Sequence, residues 1–362
     1  MTFSPLICVV GGYGVVGSHI CRLLASRHPQ ARIVVAGHDM QKAGLLARAL
    51  PHGRPWALEV GDDDPLAGLE EDEVPDVLVM ATLDPDDHVL RAAARRGIPV
   101  LDLTRSLDRI DDAREVLADV DELIRFVAAS GWMAGAAAVT VAAHVRPDEP
   151  AEQVEIDILM VVADALGPET ATRFVDAHKS FAIWIEGRPR LVRGLAGPRR
   201  FRFSGDRIVR TRLVSSPEQE TLVAHRLSNG VTVRLAVAEV ATHVGFSVLV
   251  GTKIWSCLPR ATRRRMLQRL TTGQGEHPHE FWVSIVRPAG GDHRVAQIRV
   301  VDPHGQRHLA AASAVSQVER LLGWNGRAVP PVGVSLPESA PDAVRDVEAM
   351  AQMGVRFDVT LH

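Results

Sequence analysis

Residues 6–24 read LICVVGGYGVVGSHICRLL, and the order of features in this stretch decides the fold. Leu6–Val10 is an apolar run of buried-strand length. Gly12, Gly14 and Gly17 follow as G-x-G-x-x-G, and Val16, Ile20, Leu23 and Leu24 then recur at helical spacing. Strand, glycine turn and helix in this order predict a dinucleotide-binding turn. Gly12 permits the tight turn, Gly14 lets backbone approach a pyrophosphate, and Gly17 lets the helix pack closely on the strand. The helix brings its first N–H groups and positive dipole end to the phosphates. Tyr13, Val15 and Val16 lie inside the turn and join the three glycines as candidate cofactor contacts.

Composition sets the frame for this turn. A chain of 362 residues, 46% hydrophobic and 23% charged, can hold two domains with a substantial core. Its net charge of −3 gives no positive field for nucleic acid or an anionic membrane. Cys8, Cys21 and Cys257 show no metal or redox spacing, and the first two read as reduced core residues. No charged-then-apolar leader and no apolar run of membrane-spanning length is visible, so the chain reads as cytoplasmic.

Beyond the turn, strands and helices alternate. Strands are predicted at Arg32–Ala36, Trp56–Val60, Asp76–Ala81, Ile98–Leu101 and Leu123–Ala128, with helices over about 86–96 and 107–118 between them. This alternation predicts an α/β domain, a doubly wound parallel Rossmann sheet with helices on both faces. Ligands of such sheets bind beyond the C-terminal strand ends. The loops Gly11–Gly17, Thr82–Asp86, Asp102–Ser106 and Gly131–Gly135 are therefore expected to converge. Candidate cofactor contacts on this edge are Ala81, Thr82 and Thr104. Asp62 is either near the adenine or part of a solvated turn. After the second strand come Gly37, His38 and Asp39, with Lys42 one turn into the next helix. No acid stands at Ala36, and His38 and Lys42 favour NADP, while Asp39 leaves NAD open.

Several of these segments carry a family resemblance. Gly12-x-Gly14-x-x-Gly17, Ala36-Gly37-His38-Asp39, Leu101-Asp102-Leu103-Thr104, Gly131-Trp132-Met133-Ala134-Gly135 and Pro330-Pro331-Val332-Gly333-Val334-Ser335-Leu336-Pro337 resemble the saccharopine dehydrogenase-like family of NAD(P)-dependent oxidoreductases. The resemblance covers both ends of the chain and little of its middle. It implies hydride transfer at a carbon–nitrogen bond of an amino-acid-derived substrate, in amino-acid or secondary metabolism. Two positions differ from the family's habit: His38 stands where Arg is common, and Ala134 where Pro is common.

From about Gln153 the pattern changes to strands, with Val154–Val162, Phe181–Ile185, Arg199–Phe203, Val231–Val237, Phe246–Val250, Phe281–Val286 and Val295–Val301 as candidates. Glu186-Gly187-Arg188-Pro189 and Pro303-His304-Gly305 read as turns. Helices are predicted at Glu169–Lys179, Pro259–Thr271 and Leu309–Leu322. The result is an α+β second domain with a largely antiparallel sheet. The domain expectation is 1–135 for the NAD(P)-binding Rossmann domain and 136–325 for a substrate-binding and dimerisation domain. Residues 326–362 are expected to return to the first domain.

Hydride transfer asks the protein for positioning and a proton donor or acceptor, and an amino-acid substrate adds a cation for its carboxylate. Lys179 and His178, where a helix gives way to a strand, are candidates for these roles; an ordinary helix C-terminus is the competing reading. Arg199, Arg200 and Arg202 are alternative clamps, or a solvated face. Asp102 either meets cofactor and substrate or caps its own loop.

His277-x-His279-Glu280, with His293, His304 and His308, matches no zinc spacing, and no metal is expected. The basic helix carrying Arg260, Arg263, Arg264, Arg265 and Arg269 reads as a solvated or inter-subunit face, not a nucleic-acid surface. The small-residue helix after Gly135 is too short and too weakly apolar for a membrane. The sequence thus predicts an NAD(P)-dependent oxidoreductase, a homodimer, reducing an imine or oxidising an amine on a small molecule in the cleft between domains. A carbonyl or activated-alkene reductase is the alternative within enzymes. A nucleotide-binding regulator without turnover is the alternative outside them.

Overall fold

The structure is a computed structural model that describes residues 4–70, 73–120, 124–161, 175–239, 254–270, 277–289 and 292–362. The chain forms two compact units. One comprises Met1–Ala136 with Ala310–Met353, the other Ala137–Leu309 with Gly354–His362.

In the first unit the alternating pattern becomes β1 (Leu6–Val10), α1 (Gly17–Arg27), β2 (Arg32–Gly37), α2 (Met40–Ala47), β3 (Gly53–Ala57) and β4 (Val77–Met80). It continues through α3 (His88–Ala94), β5 (Val100–Asp102), α4 (Ile110–Ala118) and β6 (Arg125–Ala128). The sheet order is β3-β2-β1-β4-β5-β6, with the short strand Gly333–Ser335 added beside β6. Every pairing in it is parallel. Successive side chains of β1 take opposite faces, as strand geometry requires. Ile7 and Val9 pack with Ile20 and Leu24 of α1 and with Ala43 and Leu46 of α2. Cys8 and Val10 pack with Val89 and Ala93 of α3 and with Ile110 and Ala113 of α4. Each fully buried Val, Leu or Ile contributes about 1.5–3 kcal/mol, so both faces must be covered. The sheet is doubly wound, as expected.

The expected strand at Trp56–Val60 lies three residues earlier. β3 pairs with β2 from Gly53↔Ile33 to Ala57↔Gly37, and β2 ends there. Backbone pairing, not the apolar content of Leu58 and Val60, sets its limits. The Gly333–Ser335 strand lies within the Pro/Gly segment near the C-terminus, whose role in the sheet was invisible in a run bounded by prolines.

The second unit is built on β7 (Gln153–Met160), β8 (Ser180–Ile185), β9 (Arg188–Arg193), β10 (Arg199–Phe203), β11 (Arg207–Leu213), β12 (Val231–Val237), β13 (His279–Ala289) and β14 (Asp292–Asp302). The order is β10-β11-β12-β7-β13-β14, then the C-terminal strand Arg356–Leu361, with β8 paired to β12 and to β9. Among the described strands β7 and β12 run parallel and the other pairings are antiparallel.

Several expectations need correction here. Arg188 and Pro189 belong to β9, not to a turn. The turn is Glu186-Gly187 alone, with φ of 51° and 72°, the two-residue form that matches strand twist. Pro189 is tolerated because β9 pairs with β8 only. β11 and the helix Glu218–Ala224 were not anticipated. Pro303-His304-Gly305 leads into the helix Gln306–Leu321 instead of joining two strands. The segment 326–362 divides. The helix Ala343–Gln352 stays with the first unit, whereas Arg356–Leu361 pairs with β14, from Ala296↔Leu361 to Val301↔Arg356, in the second. The expected strand Phe246–Val250 and most of the expected helix Glu169–Lys179 lie outside the described residues. Among the described residues no helix is long and apolar enough to cross a membrane.

Candidate functional site

The strand order reverses between β1 and β4, each starting a run in the opposite direction. In open parallel sheets the ligand crevice lies at this switch point, outside the carboxyl ends of the strands. The glycine turn follows β1 at that point. Gly11 adopts φ +76°, and a Cβ on it would stand 3.0 Å from Thr82 Cβ and 3.1 Å from Ala81 O, at the end of β4. A Cβ on Gly17 would lie 2.3 Å from Gly11 O and 2.9 Å from Gly12 Cα. One on Gly12 would lie 2.7 Å from Val9 O. These positions admit no side chain without moving backbone. Gly14 is excluded on one side alone: its Cβ would stand 2.9 Å from Gly11 O, too close to backbone for a side chain, and would meet no other atom within 4 Å.

α1 then begins with Val16 as its N-cap, no side-chain cap and no acid in its first turn. Its positive end is uncompensated by side chains, which suits an anion. The tight cradle, the lightly enclosed Gly14 and this helix start fit the pyrophosphate of a dinucleotide. Gly12, Tyr13, Gly14, Val15, Val16 and Gly17 are the residues that would hold it.

The end of β2 brings a second group together. The Tyr13 ring lies edge-on to His38, with centroids 5.9 Å apart. Its hydroxyl accepts the Asp39 N–H at 3.0 Å and stands 3.1 Å from His38 Nδ1. Lys42 Nζ lies 6.0 Å from the Tyr13 ring centre and 3.1 Å from Asp39 Oδ2. Asp39 caps α2, accepting N–H from Gln41 and Lys42, and these bonds with the Lys42 ammonium hold its carboxyl below the usual carboxylate range. Asp39 is thus already engaged by its own helix. Asp62 is exposed, and the working carboxylate of its run is Asp64, which bonds Leu66 N–H and Arg96.

The next loops follow along the same edge. Ala81 donates its N–H to Val10 O, and the single proton of Thr104 Oγ1 is shared between Thr82 O at 3.2 Å and the shorter bond to Asp102, so the loops after β1, β4 and β5 lie in series. Asp102 is buried and fully subscribed. It accepts from Thr104 N–H at 2.8 Å, Thr104 Oγ1 at 2.9 Å, Arg105 N–H at 3.1 Å and Arg105 Nε at 3.1 Å. Its role in this structure is to shape the Asp102–Ser106 loop. Arg105 continues to Asp87, which also meets Arg109. Asp84, in the loop after β4, bonds Leu90 N–H at 3.0 Å, yet burial and the nearby Asp87 and Asp102 raise its carboxyl. The sequence reading missed this network, although Arg105 three residues after Asp102 was a visible signal.

The Gly131–Gly135 turn follows β6. Met133, Ala134 and Gly135 have φ of 51°, 55° and 85°, three left-handed residues in a row. Proline, fixed near −65°, cannot take the conformation of Ala134, so the departure from the family's Pro is built into the backbone. Ser313 Oγ bonds Ala134 O at 2.9 Å, and a Cβ on Gly135 would meet Pro337 Cγ at 2.8 Å. Two of the segments that carry the resemblance thus touch.

In the second unit, Lys179 is 68% exposed and pairs with Asp176 at 3.0 Å. Arg260 and Arg263 reach the same carboxylate at 3.6 and 3.8 Å. Arg263 Nη1 lies 2.7 and 2.9 Å from the two ring nitrogens of His178, and burial together with this cation pushes the imidazole below its ordinary value. Of the arginines on β10, Arg200 is exposed and Arg202 pairs with Asp206. Arg199 turns to Glu155 and to the fully buried Asp157. Burial raises the Asp157 carboxyl to about 6, against the pull of Arg199. Among the described residues no group of His, Cys, Asp or Glu could hold a metal.

No family model and no curated protein matches the chain. Its likeness is to solved structures. At 9% identity and a TM-score of 0.45, 97% of the chain aligns with 95% of scyllo-inositol dehydrogenase from Lactobacillus casei, a structure with bound NAD(H) and scyllo-inositol. An oxidoreductase from Sinorhizobium meliloti aligns over 99% of this chain and 100% of its own, at 11% identity and a TM-score of 0.42. DAP dehydrogenase of C. glutamicum, in complex with DAP, aligns over 96% and 99%, at 12% identity and a TM-score of 0.43. The functional reading rests on the chain's own residues.

Proposed function

We propose that this chain is an NAD(P)-dependent oxidoreductase with NADP as its preferred cofactor. It would exchange hydride with the carbon of an imine or amine on a small amino-acid-derived substrate. The observation that carries the reading is the glycine cradle at the switch point, closed to side chains at Gly12, Gly14 and Gly17 and most lightly enclosed at Gly14. The nicotinamide, when bound, supplies the hydride acceptor or donor. Gly12 to Gly17 bind the pyrophosphate, while Ala81, Thr82 and Thr104 line the strand ends beyond it. The resemblance to saccharopine dehydrogenase-like enzymes supports the carbon–nitrogen chemistry. The second unit binds substrate and pairs two copies into a cytoplasmic homodimer.

A substrate carboxylate is supported by the charge around Asp176, where Lys179, Arg260 and Arg263 share one acid. The surplus positive charge favours an anion. His178, held neutral beside Arg263, is the group for proton exchange. The competing reading, a regulator that binds the nucleotide without turnover, draws on Asp102 having every bond spoken for.

Calorimetric titration with NADPH and NADH tests the reading. NADPH is expected to bind at least tenfold more tightly, and binding of neither by folded protein would end the proposal. With turnover on a carboxylate-bearing substrate in hand, Lys179→Met should raise KM about tenfold, about 1.4 kcal/mol, and lower kcat far less. An unchanged KM removes Lys179 from the substrate site.

A further inference from the structure

The end of β2 holds an arrangement that the glycine pattern does not explain. β2 runs one residue past the expected Ala36, so Gly37 is its last residue and takes the place at the strand end from which an acidic side chain reaches the ribose hydroxyls of NAD. Here that space is filled. A Cβ built on Gly37 would lie 2.6 Å from Tyr13 Cε1, 2.9 Å from its hydroxyl and 3.0 Å from Cζ. The ring is itself held in place: its hydroxyl accepts the Asp39 N–H and meets His38 Nδ1. With the hydroxyl oxygen engaged by Asp39, its proton is directed at His38 Nδ1, which calls for the imidazole tautomer protonated on Nε2. The one nearby acid, Asp39, is bound to the start of α2 and to Lys42. With the hydroxyl spent on Asp39 and His38, the groups left at this end of the strand are the Nε2–H of His38 and the Lys42 ammonium.

We infer that Tyr13 is the residue that sets cofactor preference: its ring occupies the volume an NAD-selecting acid at position 37 would need, and its hydroxyl orients His38 so that the imidazole Nε2–H and the Lys42 ammonium form a donor set for the 2′-phosphate of NADP. The inference rests on the dinucleotide reading of the preceding section. It goes beyond His38 and Lys42 by making steric exclusion the origin of selectivity. Tyr13 and Gly37 form a reciprocal pair, because a side chain at 37 requires the ring at 13 to leave its place, beside the backbone cost of a φ of +159° at Gly37. A phosphate would share Lys42 with Asp39 and receive hydrogen bonds from groups that the ring already orients.

The pair is tested by exchange. Affinities for NADPH and NADH are measured by calorimetry for the wild type, Tyr13→Ala, Gly37→Asp and Tyr13→Ala/Gly37→Asp. Tyr13→Ala should cut the preference for NADPH at least fivefold. Gly37→Asp alone should weaken both cofactors, and the double substitution should restore NADH binding so that the preference reverses. If Gly37→Asp alone binds NADH as well as the double variant does, or Tyr13→Ala keeps the wild-type ratio, steric exclusion is wrong.

A second measurement needs no variant to fold. Tyr13 is the sole tyrosine of the chain, so wild-type protein grown with 3-fluorotyrosine gives one fluorine resonance. Adenosine 2′,5′-bisphosphate should shift it, and adenosine 5′-monophosphate should shift it much less. Equal shifts, or none while NADPH binds by calorimetry, overturn the role of Tyr13 and leave the oxidoreductase proposal standing. Failure of NADPH and NADH alike to bind the wild type overturns both.

Discussion

At the end of β1 the backbone is shaped by side chains that are missing, whereas on the sheet of the second unit Asp157 and Arg199 are held by charges that are present. Gly12 and Gly17 have no space for a Cβ, and their tightest contacts, with Val9 O and Gly11 O, are with residues a few positions away. Asp157 is fully buried, and its partner Arg199 lies 42 residues further along the chain. The first arrangement is local and can be read from spacing. The second depends on β10, β11, β12 and β7 lying side by side, which no spacing reveals. A functional turn written in absences is legible; one written in distant pairs is not.

The comparison can be broken most forcefully at Gly17. Replacement by Val puts a branched side chain where Cβ alone would lie 2.3 Å from backbone oxygen. Overpacking of this kind costs about 1–3 kcal/mol. The expected result is at least tenfold weaker NADPH binding together with a lower melting temperature. Unchanged affinity would mean that the turn tolerates bulk and is no cradle.

The charged pair offers the opposite test. Arg199→Met leaves Asp157 buried with its closest cation gone. Breaking a buried pair costs about 3 kcal/mol at the low end of the known range, and the low end applies because Arg199 is 31% exposed. The penalty should shrink at acid pH, where Asp157 takes a proton. The sign follows from the raised carboxyl of the folded state, about 6 against 3.8. The folded protein holds this proton more tightly than the unfolded chain. Its contribution to stability is therefore complete below about pH 4 and is lost as pH rises through about 6. Asp157→Asn lacks that loss, so its melting temperature relative to wild type should climb between pH 4 and pH 7. A flat difference would show that Asp157 does not titrate there.

A change of backbone conformation sharpens the comparison within the first unit. Ala134 holds φ at 55°, which costs a non-glycine residue about 1–2 kcal/mol. Ala134→Gly should recover roughly half of this, because glycine also gains freedom in the unfolded chain. Ala134→Pro should destabilise by about 3 kcal/mol or more, since its ring forbids that angle. Denaturant midpoints read both. A neutral Ala134→Pro would mean that the left-handed run is not required.

The short turns on which the sequence resembles saccharopine dehydrogenase-like enzymes include two that meet in the fold. Gly131–Gly135 and Pro330–Pro337 meet through Gly135 and Pro337, which explains why segments about 200 residues apart in sequence carry one signal. His178 and Lys179 stood out as a cation beside an imidazole. Their partners, Asp176 and Arg263, come from the same turn and from a helix that spacing could not relate to it.

The sequence by itself determined the glycine turn, the alternation of strand and helix that winds the first sheet, and the switch to antiparallel strands after Gln153. These follow from periodicity and from conformations only glycine adopts, both local properties. Tertiary structure alone decided that Arg105 ties the Asp102 loop to Asp87 and that Tyr13 fills the space beside Gly37. It also decided that Gly333–Ser335 joins the first sheet while Arg356–Leu361 joins the second. Those outcomes depend on which groups are brought within a few ångströms by chain segments far apart, where burial and competition for hydrogen bonds fix each side chain's role.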